Sequence, residues 1–198
     1  MIVAALGTSL TEVGGWLDPL GQLIAEQSRQ SVSVRNFGKS GANSSWGITQ
    51  VERLVATHPD VVLIEFSVND ASWLRGISLN QSCKNMEKIV AQIRNGHSSC
   101  TIYLMTMSPV LSWRRWMRPR LKAYYDLYGE LAEELKVGYI DNRPSWNSLT
   151  RSQLAKAIPD GSHPNQDMAV RLIVPTIARV ILDRRCPAGA LPPLPKEP

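Results

Sequence analysis

Short apolar runs alternate along the chain with longer segments whose apolar residues recur every three or four positions, and clusters of glycine, proline, serine or asparagine separate them. Ile2-Val3-Ala4-Ala5-Leu6 ends at once in Gly7-Thr8-Ser9, which predicts a short buried strand. Beyond Gly14-Gly15, Asp18 reads as a helix cap and Pro19 as the first helical residue. Leu20, Leu23 and Ile24 then share one face of a helix that should end near Gln30. Residues 31–37 alternate toward a second strand, a loop rich in glycine, serine and asparagine follows, and residues 45–57 predict one helix. The nearly unbroken apolar run 60–66, after His58-Pro59, has the pattern of a central parallel strand covered on both faces.

The alternation continues with a helix over 79–95, a strand over 101–106, a helix over 118–135, a short strand over 137–140 and a last helix over 166–182. Five strands separated by helices predict an α/β fold, a three-layer sandwich with a five-stranded, mostly parallel sheet and right-handed crossovers. One domain over residues 1–184 is expected, with the proline-rich stretch 185–198 as an extended tail outside it. In such sheets ligands bind beyond the carboxyl ends of the strands, so the loops that follow each strand are where chemistry is expected.

Composition narrows the picture only slightly. A chain of 198 residues with 43% hydrophobic positions can build a core without metal or disulfide staples. Cys83, Cys100 and Cys186 are an odd set with no C-x-x-C spacing, and are expected to be free thiols. No apolar run approaches the ~20 residues that span a bilayer, which predicts no stable membrane insertion. Met1 leads into the first strand without a basic leader, so the expectation is a cytoplasmic protein if that terminus is native and an exported one if a signal peptide was removed. The net charge of +5 invites a nucleic-acid reading, but four arginines crowd into Ser112-Trp113-Arg114-Arg115-Trp116-Met117-Arg118-Pro119-Arg120 while the remainder mixes signs. No nucleic-acid partner is expected, and the chain should be a monomer or a weak homo-oligomer.

Candidate chemistry sits where the topology predicts it. Ser9 follows the first strand, although a serine in such a turn is more often only a turn residue. Asp160-Gly161-Ser162-His163 changes the weighing, because a nucleophilic serine needs a base, and the base needs a partner to hold its tautomer. The same four residues also read as an Asx-turn beside an exposed histidine. Gly41, after the second strand, lets a backbone N–H approach a substrate, and Asn69 places an amide at the mouth of the central strand. Taken singly they are a glycine turn and a loop asparagine.

The order Ser9, Gly41, Asn69, Asp160-x-x-His163 resembles the four sequence blocks of the SGNH hydrolases, the GDSL-type esterases, over almost the whole span from Ala5 to Pro164. The resemblance implies a flavodoxin-like SGNH hydrolase fold with Ser9 as nucleophile and backbone oxyanion donor. It further implies Gly41 and Asn69 as the other donors, His163 as general base and Asp160 as its orienting acid. Two departures stand out: Thr8 replaces the family's aspartate beside the nucleophile, and Ser67-Val68-Asn69-Asp70 replaces Gly-x-Asn-Asp. They bear on pocket shape rather than on reaction class. Glu65, a carboxylate in an apolar strand, must be paired or protonated, and structural hydrogen bonding is the favoured reading over a direct catalytic one. His58 and His97 lie outside the pattern and are expected at the surface.

The stretch Ile64 to Asp70 looks like the branch of that family rich in carbohydrate O-acetyl esterases. Trp16, Trp46 and Trp73 lie near site loops and suit either sugar stacking or ordinary packing. Trp113, Arg114 and Arg115 are expected to overhang the same edge, either as contacts to an anionic substrate or as a solvated helix start. The expected substrate contacts are therefore Trp46, Trp73, Trp113, Arg114 and Arg115. The resulting expectation is a serine esterase that removes short acyl groups, such as acetyl, from a small-molecule or carbohydrate ester, with no cofactor and no metal. A thioesterase or lysophospholipase of the same fold is the alternative, and a catalytically silent carbohydrate-binding protein the more distant one. Dialysis against EDTA should leave turnover unchanged, because the three histidines and three cysteines are scattered. A loss of activity that a single metal restores would overturn that expectation.

Overall fold

The computed structural model describes residues 1–183, so the expected tail over 185–198 and Cys186 lie outside the described residues. Five strands, β1 (Ile2–Gly7), β2 (Ser33–Gly38), β3 (Val61–Glu65), β4 (Thr101–Met105) and β5 (Gly138–Ile140), form one sheet in the order β2-β1-β3-β4-β5. Every pairing is parallel, and the β1/β3 register sets Gly7 opposite Glu65. The helices are α1 (Ser9–Glu12), α2 (Leu17–Ser28), α3 (Ser44–Ile48), α4 (Val51–Val55), α5 (Ser67–Asp70), α6 (Leu79–Gly96), α7 (Ser112–Trp116), α8 (Leu121–Glu134), α9 (Arg143–Asn147), α10 (Arg151–Ala157) and α11 (Gln166–Asp183). No helix among the described residues is long and apolar enough to cross a membrane.

Period-two alternation on the central strands feeds two separate cores, which is why those strands read as continuous apolar runs. Val3, Ala5, Val61, Leu63, Tyr103 and Met105 face one core, shared with α2 and α11. Ala4, Leu6, Val62, Ile64, Ile102 and Leu104 face the other, closed by α6 and by Tyr128 and Leu131 of α8. β2 and β5 are the edge strands, and β2 carries exposed Arg35 and Asn36 accordingly.

Several element boundaries depart from the sequence pattern for identifiable reasons. The first long helix starts at Leu17, with no side-chain cap, because Trp16 is fully buried and its Nε1–H donates to Leu10 O at 2.7 Å. That anchor sets the entry point, and Asp18 and Pro19 fall inside the first turn. The single helix expected over 45–57 is two, α3 and α4, broken around Thr49 and Gln50, where the Thr49 hydroxyl donates to Trp46 O. The helix expected from 118 begins at Leu121, since Pro119 disfavours a helical residue before it. α9 and α10 are additional to the elements that the hydrophobic pattern predicts, and Pro144 in the first turn of α9 and the Thr150/Gln153 capping box of α10 are their start signals.

α11 presents Ala169, Ile173, Val174, Ile177, Ala178, Ile181 and Leu182 to the core at helical spacing. Ile177→Ala should therefore lower unfolding stability by about 2–5 kcal/mol, whereas Arg179→Ala on the exposed face should stay within about 0.5 kcal/mol. Urea unfolding of both variants checks this, and equal effects would mean that the buried face is misassigned.

Candidate active site

β1 ends at Gly7 and α1 begins at Ser9, so the residue between them decides where the Ser9 hydroxyl points. Thr8 is an N-cap with extended backbone (φ −93°, ψ −161°), and its Oγ1 accepts from Leu10 N–H at 3.2 Å. Ser9 thus occupies the first position of a one-turn helix rather than a loop, where its N–H has no intrahelical acceptor. Beneath it, Glu65 at the end of β3 is fully buried. Its Oε1 accepts from Thr8 N–H at 2.6 Å, from Thr8 Oγ1 at 3.0 Å and from Thr11 Oγ1 at 2.7 Å. Burial pushes the Glu65 carboxyl up to about 7 in spite of these donors. A Cβ on Gly7 would lie 2.2 Å from Oε1, so only glycine fits opposite this carboxylate.

Between α10 and α11 the chain turns at Gly161, whose φ of +79° is a left-handed conformation. Asp160 uses its two oxygens differently. Oδ1 accepts from the N–H groups of Ser162 (2.8 Å) and His163 (2.7 Å), which shapes the turn. Oδ2 sits 2.7 Å from His163 Nδ1, and His163 Nε2 is 2.8 Å from Ser9 Oγ. The turn reading and the dyad reading are therefore both fulfilled by one carboxylate. Partial burial raises the Asp160 carboxyl, but the bonds from the His163 ring and from the two backbone N–H groups prevail and bring it down to about 2. With the Nδ1 proton held by Asp160, Nε2 is left to accept from the Ser9 hydroxyl, the arrangement that activates a serine.

The remaining polar groups come from the ends of β2 and β3. Asn69 lies in α5 rather than in an open loop, and its Nδ2 donates to Ala42 O at 2.7 Å, leaving the second amide hydrogen. The segment around Gly41 is pinned at both flanks. Glu12 accepts from Ser40 N–H at 2.6 Å, and Asp70 accepts from Ser44 N–H at 2.9 Å and from Ser82 Oγ at 2.6 Å. Burial raises the Asp70 carboxyl above its ordinary range. Gly41 itself has φ +76°, and Ser9, Gly41, Asn69, Arg75, Arg114 and His163 border a cavity of about 160 Å³.

The structure separates the other expected contacts. Arg114 borders the cavity and its Nε donates to Asp160 O at 2.9 Å, whereas Arg115 lines a different cavity of about 470 Å³ beside Trp146 and Leu154. Trp46 packs edge-on against buried Phe66, and Trp16 belongs to the core. Trp73 and Trp113 are 68% and 61% exposed, outside the cavity lining. His58 is exposed and His97 half-buried, stacked edge to face against each other. Arg118, one of the arginines of the segment expected to overhang this edge, borders the cavity, and so does Arg75, which no sequence expectation included. Arg118 was visible inside the basic segment, but Arg75 carried no signal of its own.

A family model described as the GDSL-like lipase/acylhydrolase family matches residues 4–169. A GDSL esterase/lipase of Arabidopsis thaliana is 28% identical over 121 residues, covering 52% of this chain, and the match spans 48% of that relative's length. Among solved structures, a lipase/acylhydrolase from Enterococcus faecalis superimposes with a TM-score of 0.79 at 24% identity, covering 92% of this chain and 96% of that one. Axe2, an acetylxylan esterase from Geobacillus stearothermophilus, does so with a TM-score of 0.73 at 20% identity, covering 91% and 92%. These likenesses establish a shared α/β fold with its five-stranded parallel sheet.

Glu65 and Asp160 should leave opposite marks on stability. A carboxyl raised from 4.5 to about 7 on folding binds its proton more tightly in the native state. Its contribution is therefore complete below pH 4.5 and is lost as pH rises through 7. Asp160, lowered from 3.8 to about 2, contributes above pH 3.8 and loses that contribution as pH falls through 2. Urea midpoints should thus decline between pH 5 and pH 8 in the parent protein and stay flatter in Glu65→Gln. The same decline in both would exclude Glu65 as its source.

Proposed function

Because the chain belongs to the GDSL-like lipase/acylhydrolase family, we propose that it is a serine esterase that releases short acyl groups, acetyl foremost, from a carbohydrate or polysaccharide. The observation that carries this reading is the unbroken bond chain from Ser9 Oγ through His163 to Asp160, at 2.8 Å and 2.7 Å. In the proposed cycle His163 Nε2 takes the Ser9 proton as Oγ attacks the ester carbonyl. Negative charge then gathers on the carbonyl oxygen, where the Ser9 N–H, the Gly41 N–H and the Asn69 amide are the donors. Collapse expels the alcohol, protonated by His163, and leaves an acyl-serine. Water, activated by the same imidazole, releases the acid. Asp160 keeps Nε2 free throughout and stabilises the imidazolium.

Short acyl groups are supported by the cavity, whose volume of about 160 Å³ is bounded by Leu10 and Val68 beside Asn69. The carbohydrate reading draws on Trp73 and Trp113, whose exposed indoles flank Arg75 and Arg114 in sequence and can stack on sugar rings. The acetylxylan esterase that shares the fold is in keeping with it.

Ser9→Ala should abolish labelling by a fluorophosphonate and lower turnover of p-nitrophenyl acetate by about 10⁴-fold or more. Asn69→Ala should lower kcat by about 10²–10³ with little change in KM, because its donor serves the transition state. In a chain-length series, acetyl should exceed octanoyl esters in kcat/KM. Parent-like activity in Ser9→Ala would exclude the mechanism, and a preference for octanoyl would exclude the short-acyl assignment.

A further inference from the structure

Three of the residues that line the cavity with Ser9 and His163 are arginines, and they come from three separate places. Arg75 ends the 3₁₀ turn Trp73–Arg75, Arg114 lies in α7, and Arg118 lies between α7 and α8. The Arg75 guanidinium lies over Gly41, with both Nη atoms 3.2 Å from where a Cβ would stand. Arg118 is only 8% exposed, and its guanidinium donates to backbone carbonyls: Nε to Val68 O at 2.8 Å and Nη1 to Arg114 O at 3.2 Å. Among the described residues no carboxylate lies within 4.0 Å of Arg75 or Arg118. Arg114 alone approaches one, Asp160 Oδ2 at 3.7 Å, and that oxygen is already held by His163.

Solvation does not explain the arrangement. An arginine placed for solubility is exposed, as Arg120 is, whereas Arg118 is buried. Burial, and the neighbouring charges of Arg114 and Arg75, hold the Arg118 guanidinium below its ordinary range, so the fold accommodates like charges around one small cavity. Three like charges brought together with Asp160 as their one carboxylate neighbour within 4.0 Å among the described residues are a cost that a bound anion relieves. Planar guanidinium forks match the oxygens of carboxylates and phosphates.

We infer that Arg75, Arg114 and Arg118 form an anion-recognition subsite beside Ser9, so that the natural substrate is an ester whose acyl acceptor bears a carboxylate or phosphate a few bonds from the scissile carbonyl. This rests on the esterase reading and narrows its substrate to acidic acceptors. A uronate and a sugar phosphate share the chemistry required, and direct comparison separates them.

The test compares three acetyl esters at low salt: acetylated methyl glucoside, acetylated methyl glucuronoside and acetylated glucose 6-phosphate. At least one anionic ester should exceed the neutral one by about tenfold or more in kcat/KM, with the advantage shrinking as NaCl is raised. The better of the two anionic esters identifies the source. Arg75 is exposed, so its replacement should leave folding intact. Arg75→Gln should cut the anionic-to-neutral ratio several-fold through KM, and Arg75→Lys should restore part of it. Equal rates on all three esters, a preference for the neutral ester, hydrolysis of none of them, or an unchanged ratio in Arg75→Gln would each overturn the subsite. Hydrolysis of p-nitrophenyl acetate and fluorophosphonate labelling of Ser9 are read in parallel. If both are absent, the esterase reading itself fails, and if both persist, only the anion subsite does.

Discussion

A single carboxylate under the first strand's end organises the geometry above the sheet. Glu65 is fully buried, yet it collects Thr8 N–H, the Thr8 hydroxyl and the Thr11 hydroxyl within 2.6–3.2 Å. Those bonds join the carboxyl end of β3 to the turn between β1 and α1, and so fix the height and direction of Ser9. The register that sets Gly7 opposite Glu65 leaves no room for a side chain on β1 at that point. The threonine at position 8, read from sequence as the loss of a carboxylate beside Ser9, is in the folded chain a donor to a carboxylate that another strand supplies. A buried acid is tolerated here because donors replace the water it gives up.

A second economy operates in the turn between α10 and α11. Asp160 closes its own turn with one oxygen and holds His163 with the other, so local folding and orientation of the imidazole are the same event. The turn is tied to the sheet side by Leu111 N–H, which donates to Gly161 O at 2.8 Å. α7 follows directly and brings Arg114 against the Asp160 carbonyl. Arg114 and the imidazole are thus positioned by one connected stretch of contacts, whereas Arg75 reaches the cavity from the turn that follows α5.

The strands and the two-sided covering of the central ones were legible because a bounded apolar run is a local signal, and the parallel pairing because helices separate successive strands. Ser9, Gly41, Asn69, Asp160 and His163 stood out as a set through their order along the chain, which resembles the blocks of the family, whereas each alone read as an ordinary turn or loop residue. Helix boundaries were less legible. The start of α2 depends on Trp16 being buried with its N–H on Leu10 O, and the break between α3 and α4 on the Thr49 hydroxyl turning back to Trp46 O, side-chain choices that residue type alone does not announce.

What the amino-acid order determined by itself was therefore the layered α/β fold and the identity of the polar groups at the strand ends, because hydrophobic period and turn chemistry act over a few residues. The tertiary structure alone decided which tryptophans and arginines face the cavity. Trp46 turned inward to Phe66, Arg115 moved to a separate cavity, and Arg75 arrived from a segment with no distinguishing pattern. The direction of a side chain on a loop depends on the contacts that long-range packing brings to it, and those contacts exist only once the chain has closed on itself.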